Sequence, residues 1–155
     1  MSPRVPAVTE NTPLCSIERS VDVLSDRWSF LVLRNTIHYG QTRFGEIQKS
    51  LGIASNVLSS RLDALVDAGI LTRVDYQEPG ARRRERYEPT PAGADLRVVL
   101  AALQQWGDEH LPRTDGPTML RRGRTGGPIG VGFVDEAGRQ VPADEVRIVP
   151  SRPAA

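Results

Sequence analysis

The stretch TRFGEIQKSLGIASNVLSSRLDALVDAG, Thr42–Gly69, decides the fold. Its apolar residues recur at helical spacing in two runs that a glycine separates. The first run consists of Phe44, Ile47 and Leu51, and the second of Leu58, Leu62, Leu65 and Val66. Thr42 is the predicted N-cap, Glu46 lies in the first turn, and Gly52 and Gly69 end the two runs. Two short amphipathic helices with a tight connection predict a helix-turn-helix.

A β-hairpin is predicted directly after this stretch. The segment ILTRVDY, Ile70–Tyr76, has the alternation of a strand, Pro79-Gly80 signals a turn, and ERYEPT, 85–90, is the predicted return strand. The tip is expected to carry a cluster of arginines: Arg82, Arg83, Arg84 and Arg86. A helix-turn-helix followed by a hairpin is the layout of a winged helix, in which the second helix enters the major groove of DNA.

Helical patterns flank this unit on both sides. One begins after Cys15 with apolar residues at Ile17, Val21 and Leu24, and WSFLVLRNTIHYG, 28–40, predicts a buried helix that ends at its final glycine. On the other side, Thr90 is a predicted N-cap and Pro91 the first residue of a helix that runs to about Leu111. Its apolar residues cover more surface than a monomeric helix needs: Leu96, Val98, Val99, Leu100, Ala101, Ala102, Leu103 and Trp106. We expect a subunit interface on this helix.

The predicted fold class is therefore mainly α with a small β-hairpin, a winged helix-turn-helix followed by a small β-rich C-terminal extension. We expect three regions along the chain. A flexible N-terminal arm occupies residues 1–13, and a winged-helix DNA-binding and dimerisation domain occupies 14–111. A Gly/Pro/Arg-rich β-hairpin extension with a frayed end after Pro150 occupies 112–155.

The composition and the absence of several sequence motifs exclude some classes of protein. The 155 residues are 39% apolar and 25% charged, with a formal net charge of +1, which is typical of a soluble globular protein. The longest apolar runs are far shorter than the ~20 residues of a membrane-spanning helix, and the N-terminus lacks a signal-peptide core, so we expect a cytoplasmic protein. One cysteine excludes an internal disulfide. No catalytic motif or metal-ligand cluster is present, and His38 and His110 are far apart, so we expect no enzyme, no metal and no cofactor.

The candidate DNA surface lies on the second helix of the motif and on the hairpin. The start of that helix carries four short hydrogen-bonding side chains and one arginine: Ser55, Asn56, Ser59, Ser60 and Arg61. Such groups contact base edges and phosphates, and the wing arginines are suited to phosphate. Arg43, at the start of the preceding helix, is expected either to clamp a phosphate or to pair with Glu46. The alternative for the helix residues is an ordinary exposed helix face, and the alternative for the wing arginines is a solvated loop.

Several motifs carry a resemblance to a known family. They are Asp26-Arg27-Trp28, Arg43-Phe44-Gly45-Glu46-Ile47 and Tyr87-Glu88-Pro89-Thr90-Pro91-Ala92-Gly93, with Cys15 upstream. Over Leu14–Leu111 the chain resembles the HxlR-type winged-helix transcriptional regulators, which are relatives of the MarR group. The resemblance implies a homodimer through its first and last helices, bound as a repressor to a palindromic operator in double-stranded DNA, with half-sites ~34 Å apart. It also implies that the N-terminal cysteine senses oxidants or electrophiles.

The sequence departs from the family pattern in three places. Ala54 stands where a hydroxyl residue usually opens the recognition helix, so Ser55 is the expected cap, and Asn56 replaces a common lysine. The Gly-rich tail is similar to an extension that carries paired cysteines in some members. It contains no cysteine in this chain, so we expect no zinc site there.

Three alternatives remain open from the sequence. Cys15 is either a reactive thiol, favoured by the helix N-terminus and Arg19, or a small apolar residue packed under the first helix. The second alternative is regulation by a small molecule that binds in a pocket between the subunits. Trp28 or Trp106 would line that pocket, and Cys15 would then have only a structural role. A winged-helix module that docks an acidic protein partner is the third alternative, because a fold does not by itself settle function.

Overall fold

The computed structural model describes residues 15–24, 26–80 and 82–149 and contains two compact units, one up to Leu100 and one from Ala101. The predicted arm at 1–13 and the predicted frayed end after Pro150 lie outside the described residues. The predicted domain limits, 14–111 and 112–155, stay predictions.

Helices dominate the first unit. The helices are α1 (Ser16–Leu24), α2 (Arg27–Leu33), α3 (Phe44–Leu51), α4 (Ser55–Asp67) and α5 (Pro91–His110), and a π-helical turn (Arg34–His38) follows α2 directly. A hairpin of β1 (Leu71–Tyr76) and β2 (Arg84–Pro89) lies between α4 and α5, and α5 ends in the second unit. This order confirms the predicted winged helix-turn-helix.

The helix-turn-helix is α3, a tight turn and α4. Gly52 ends α3 with a φ of 61°, a left-handed conformation that suits glycine. The predicted N-cap at Thr42 is wrong, because the N-cap is Arg43, whose backbone N–H donates to Glu46 Oε2 at 3.2 Å. Thr42 is instead paired with the wing, since its carbonyl accepts a hydrogen bond from Tyr87 N at 2.8 Å. Helix α3 can therefore begin only after that pairing ends.

The wing is an antiparallel hairpin whose register runs from Leu71 opposite Pro89 to Tyr76 opposite Arg84. The expectation that all four arginines lie at the tip is wrong. Arg84 and Arg86 belong to β2, while Arg82 and Arg83 lie in the loop. Pairing with β1 extends the return strand one residue further toward the tip than its hydrophobic pattern indicates.

The core of the first unit draws on each of its helices and strands. Its buried apolar residues are Leu24, Val32, Leu33, Ile37, Ile47, Ile53, Leu58, Leu62, Leu65, Ile70, Leu71, Tyr87 and Leu100. Because α4 contributes Leu58, Leu62 and Leu65 to this core, the opposite side of the helix is left facing solvent.

The start of α5 is locked to the start of the wing. Thr90 caps the helix by accepting from Gly93 N at 3.1 Å, and its hydroxyl donates to Gly69 O at 2.6 Å. A Cβ on Gly93 would lie 2.1 Å from Ile70 O, so only glycine allows this approach. The predicted N-cap at Thr90 is confirmed.

The second unit contains the end of α5, a short hairpin of β3 (Phe133–Val134) and β4 (Gln140–Val141), and a 3₁₀ turn at Ala143–Glu145. The predicted β-rich extension is thereby confirmed. Gln105 holds the chain by donating to Val131 O at 2.9 Å and accepting from Val131 N at 2.8 Å. None of the described residues from 101 to 149 is buried.

Candidate nucleic-acid interface

The outward face of α4 carries short polar side chains. Ser55, Asn56, Ser59 and Ser60 are all exposed and recur at i, i+1, i+4 and i+5, which places them on one side of the helix. The structure therefore brings together four of the five residues predicted on this helix. Among the described residues, Asn56, Ser59 and Ser60 make no side-chain hydrogen bond, so these groups are free to contact DNA.

Ser55 is held by the preceding helix and does not cap its own. The expectation that Ser55 is the N-cap is wrong, because α4 begins at Ser55 and the N-cap is Ala54, which has no capping side chain. The Ser55 hydroxyl instead accepts a hydrogen bond from Gln48 Nε2 at 2.6 Å. The sequence pattern gave no sign of this partner, since Gln48 lies on the other helix of the motif.

Arg61 points away from the other four residues toward the start of α2. Its Nε lies 2.9 Å from Asp26 Oδ2 in a pair of which each side chain is about one third exposed. Asp26 also caps α2, since its Oδ1 accepts from Ser29 N at 3.0 Å. Arg61 therefore joins α4 to α2 and would have to share its guanidinium to contact a phosphate.

Arg43 joins α3 to the wing. Its Nη2 lies 2.9 Å from Glu78 Oε1, its guanidinium carbon lies 4.9 Å from the ring centroid of Tyr76, and its backbone pairs with that of Arg86. The expected partner Glu46 is more distant, at 3.9 Å from Nε. The guanidinium of Arg43 is thus paired with a carboxylate of its own chain, whereas one expectation was that it would bind a DNA phosphate.

The four wing arginines fall into two pairs. Arg83 contacts Asp75, and Arg86 Nε lies 2.7 Å from Glu88 Oε1, so the charges of both are balanced within the wing. Arg82 and Arg84 are exposed and make no ion pair within the described part of the chain. Because a paired guanidinium must exchange a carboxylate for a phosphate, the unpaired arginines are the stronger candidates for DNA contact.

An open cleft of about 570 Å³ lies between the start of α3 and the wing. Its lining combines aromatic rings with both signs of charge: Arg43, Phe44, Gly45, Glu46, Tyr76, Arg84, Glu85 and Tyr87. Arg84 is the guanidinium in this lining that has no ion pair among the described residues. The cleft therefore belongs to the same polar surface as the wing.

Cys15 directly precedes α1 and is an exposed free thiol. Its carbonyl accepts from Arg19 N at 3.1 Å, while Nη2 of Arg19 donates to Ser16 Oγ at 2.9 Å. The exposed side chain does not fit the alternative in which Cys15 packs beneath the first helix. An exposed thiol is open to oxidants and electrophiles.

Apolar residues are exposed on the first and last helices. On α1 they are Ile17 and Val21; on α5 they are Val98, Val99, Leu103 and Trp106. Val99, Leu103 and Trp106 recur at i, i+4 and i+7 and form one stripe, whereas Leu96 and Leu100 of the same helix pack on the core. The apolar face predicted for this helix is thus divided between the core and solvent.

His38 lies in the π-helical turn, and its Nε2 is buried without a hydrogen-bond partner. Burial lowers the pKa of His38, a hydrogen bond with the Arg97 backbone opposes that effect, and the positive charge of Arg97 adds to it.

Among the described residues, no group of histidines, cysteines and carboxylates is arranged to hold a metal ion. No helix in the described part of the chain has the length and apolar character of a membrane span.

Comparison with known proteins agrees with this architecture. The family model for an HxlR-like helix-turn-helix matches residues 23–115. An uncharacterised HTH-type transcriptional regulator of Mycobacterium tuberculosis is 41% identical over 112 residues, which is 72% of this chain and 69% of the relative.

Two solved structures are similar over different lengths. PA1607, described as a candidate transcription factor, superposes with a TM-score of 0.74 at 33% identity and covers 88% of this chain and 94% of its own. The transcriptional regulator YodB of B. subtilis, in its reduced form, superposes with a TM-score of 0.53 at 26% identity and covers 68% of this chain and 100% of its own. The higher coverage by PA1607 means that its likeness reaches beyond the winged helix.

Proposed function

The chain belongs to the HxlR-like helix-turn-helix family of transcriptional regulators, and from this premise we propose that it represses transcription by binding a palindromic operator as a homodimer. The observation that carries the proposal is the exposed polar face of α4, flanked by the unpaired wing arginines Arg82 and Arg84. In a winged helix this face enters the major groove and the wing reaches the neighbouring backbone. Repression requires only that the bound dimer cover promoter DNA. Because it would bind chromosomal DNA, we place the protein in the cytoplasm.

The proposed roles of the site residues follow their surroundings. Ser55, Asn56, Ser59 and Ser60 contact base edges and phosphates from α4. Arg82 and Arg84 neutralise phosphates first, while Arg83 and Arg86 join them only when Asp75 and Glu88 release them. Arg43 and Arg61 lie at the border of this surface and mainly position it through Glu78 and Asp26.

Exposed apolar stripes support the homodimer. Soluble monomers rarely leave contiguous apolar surface uncovered, yet Val99, Leu103 and Trp106 form such a stripe on α5 and Ile17 and Val21 are exposed on α1. Burial of these side chains against a second copy would remove them from water. A two-fold dimer would then present two copies of α4 to half-sites ~34 Å apart.

Selection of randomised DNA duplexes by the full-length protein, followed by footprinting, tests this proposal. We expect enrichment of one palindrome whose half-sites are about one helical turn apart. Enrichment of no sequence would contradict the proposal and favour the protein-docking alternative, in which the wing meets an acidic partner.

We further propose that Cys15 switches the repressor. Its thiol is exposed at the start of α1, a helix proposed for the interface, and YodB has been solved both reduced and after diamide treatment. An oxidant such as diamide would take up two electrons and two protons from two thiols and leave Cys15 joined by a disulfide to a small thiol or to the partner subunit's Cys15. Either product would alter the packing of α1 and thereby the spacing of the two copies of α4.

Operator binding measured with diamide, and then with excess dithiothreitol, tests the switch. We expect diamide to weaken binding and dithiothreitol to restore it in the wild type, whereas Cys15→Ser should bind equally without treatment, with diamide and after dithiothreitol. Wild-type binding that is indifferent to diamide would contradict a thiol switch. Regulation would then be assigned to a ligand between the subunits.

A further inference from the structure

A glutamine of α3 donates a hydrogen bond to a serine of α4 and so occupies one of the two lone pairs of that hydroxyl. Nε2 of Gln48 lies 2.6 Å from Ser55 Oγ and 3.4 Å from Ile53 O. An amide nitrogen of glutamine donates and never accepts, so the Ser55 hydroxyl must be the acceptor in this contact. The neighbouring serines of the same face, Ser59 and Ser60, have no such partner among the described residues.

The contact leaves one proton on the Ser55 hydroxyl to be donated elsewhere. A hydroxyl has a single proton and two lone pairs, and Gln48 occupies a lone pair. Ser55 is exposed, and its Oγ donates no hydrogen bond within the part of the chain that the structure describes. The free hydroxyl proton is thereby available to a partner outside the chain.

We propose that Gln48 is a positioning residue that holds Ser55 as a hydrogen-bond donor toward DNA. This inference rests on the proposed function and assigns the chemistry of one contact within it. Ser55 can then meet an acceptor oxygen or nitrogen, on a phosphate or on the base edge of guanine, adenine N7 or thymine O4. The amino groups of cytosine and adenine, which are donors, could reach only the one lone pair that Gln48 leaves free, so the hydroxyl favours an acceptor.

A double-mutant cycle on the full-length protein tests the inference. The variants are Gln48→Met, which keeps the side-chain length without the amide, Ser55→Ala, and their combination. Fluorescence anisotropy measures the affinity of each for the duplex selected by the wild type and for a scrambled duplex. The melting temperature of each variant reports any loss of fold, and Ser55→Thr tests rescue because it keeps the hydroxyl.

We expect each single variant to weaken binding by about threefold to tenfold per subunit, as for the loss of one hydrogen bond, and the combination to bind no worse than Ser55→Ala alone. Ser55→Thr should bind nearly as the wild type does. An equal loss on both duplexes would identify the acceptor as phosphate, whereas a loss confined to the selected duplex would identify a base edge.

Two results would overturn the inference. If Gln48→Met weakens binding by the same factor with and without Ser55, Gln48 acts through the turn and not through the hydroxyl. If Gln48→Met has no effect on binding, the contact has no role in DNA recognition. Both results presuppose wild-type binding to the selected duplex; absence of that binding would overturn the proposed function together with this inference.

Discussion

The two compact units of the chain differ in what holds them together. Residues up to Leu100 bury a continuous set of apolar side chains, including Val32, Leu58 and Leu62, none of which has any exposed surface. None of the described residues from 101 to 149 is buried, and large apolar residues such as Leu111 and Phe133 remain exposed. The first unit therefore has a core of its own, whereas the described residues of the second unit form none in the single chain.

Polar contacts take the place of a core in the second unit. Arg121 Nη1 lies 2.9 Å from Asp108 Oδ2, and Asp135 accepts from the backbone N–H groups of Ala137 and Arg139. The backbone N–H and then the guanidinium of Arg139 hold the pKa of Asp135 below its usual value. Hydrogen bonds at such partly or fully exposed sites contribute little to stability, and the proposed dimer would add the apolar burial that the described residues of the second unit lack.

The largest expected effect comes from breaking the proposed interface. Leu103→Glu places a charge on the exposed stripe of α5, where Leu103 is 51% exposed, without touching the core of the first unit. Burial of an unpaired carboxylate opposes dimerisation. A monomer binds one half-site and loses the avidity of two, so operator affinity should fall at least about a hundredfold.

Sedimentation equilibrium and fluorescence anisotropy check this prediction. Thr125→Glu adds the same charge at an exposed position of the second unit and should remain dimeric with wild-type affinity. A Leu103→Glu protein that stays dimeric would place the interface elsewhere.

The stability losses from one substitution in each unit compare the two units directly. Leu62→Ala removes a fully buried side chain of α4 and should lower the free energy of unfolding by about 2–5 kcal/mol. Leu111→Ala, at a residue that is 68% exposed in the second unit, should change the free energy of unfolding of the single chain by less than about 0.5 kcal/mol. Urea titration at low protein concentration, on the Leu103→Glu background, measures both. Equal losses would show that the second unit has a core of its own.

The wing offers a smaller test within the first unit. Replacement of the unpaired Arg82 and Arg84 by alanine should reduce the slope of log affinity against log salt by about 1.8 per subunit, as expected for two lost phosphate contacts. Replacement of the ion-paired Arg83 and Arg86 is the matched control and should reduce it by less. Anisotropy titrations over a range of salt concentrations measure both slopes. A larger loss from Arg83 and Arg86 would mean that the wing exchanges its ion pairs on binding DNA.

The smallest expected effect concerns His38. Burial lowers its pKa in the folded state, so the unfolded chain binds more protons as the pH falls below about 6.5. The free energy of unfolding should therefore decrease as the pH falls from about 6.5, and this decrease should be smaller in His38→Gln. Urea titrations at pH 7.5 and pH 5.5 measure the difference, with the exposed His110→Gln as the control. An identical pH dependence in His38→Gln and the wild type would exclude this role.

Local patterns predicted the fold well because the helices and the wing follow periodicity and turn signals that lie within a few residues. Gly52 and Gly69 ended two helices as expected, and Thr90 capped another. The errors arose where distant chain segments decide. Thr42 is paired with Tyr87, which no local pattern reveals, and the register that places Arg84 opposite Tyr76 is finer than the turn signal indicates.

The candidate site was predicted less completely than the fold. Residue type and helix position indicated Ser55, Asn56, Ser59 and Ser60, all of which lie on one exposed face. The ion pair of Arg61 with Asp26 and the hydrogen bond of Gln48 to Ser55 depend on how α4 packs against α2 and α3. Such packing decides which groups are free to meet DNA, and sequence spacing alone does not contain it.

The most direct test of the central claim is the affinity of the purified full-length protein for the DNA upstream of its own gene, measured by fluorescence anisotropy across a range of salt concentrations. We predict two chains per duplex, binding that weakens steeply with salt, and clear preference over a scrambled duplex of the same composition. Equal and weak binding to both duplexes would contradict the account, because a polar α4 face and unpaired wing arginines that serve an operator must discriminate between them.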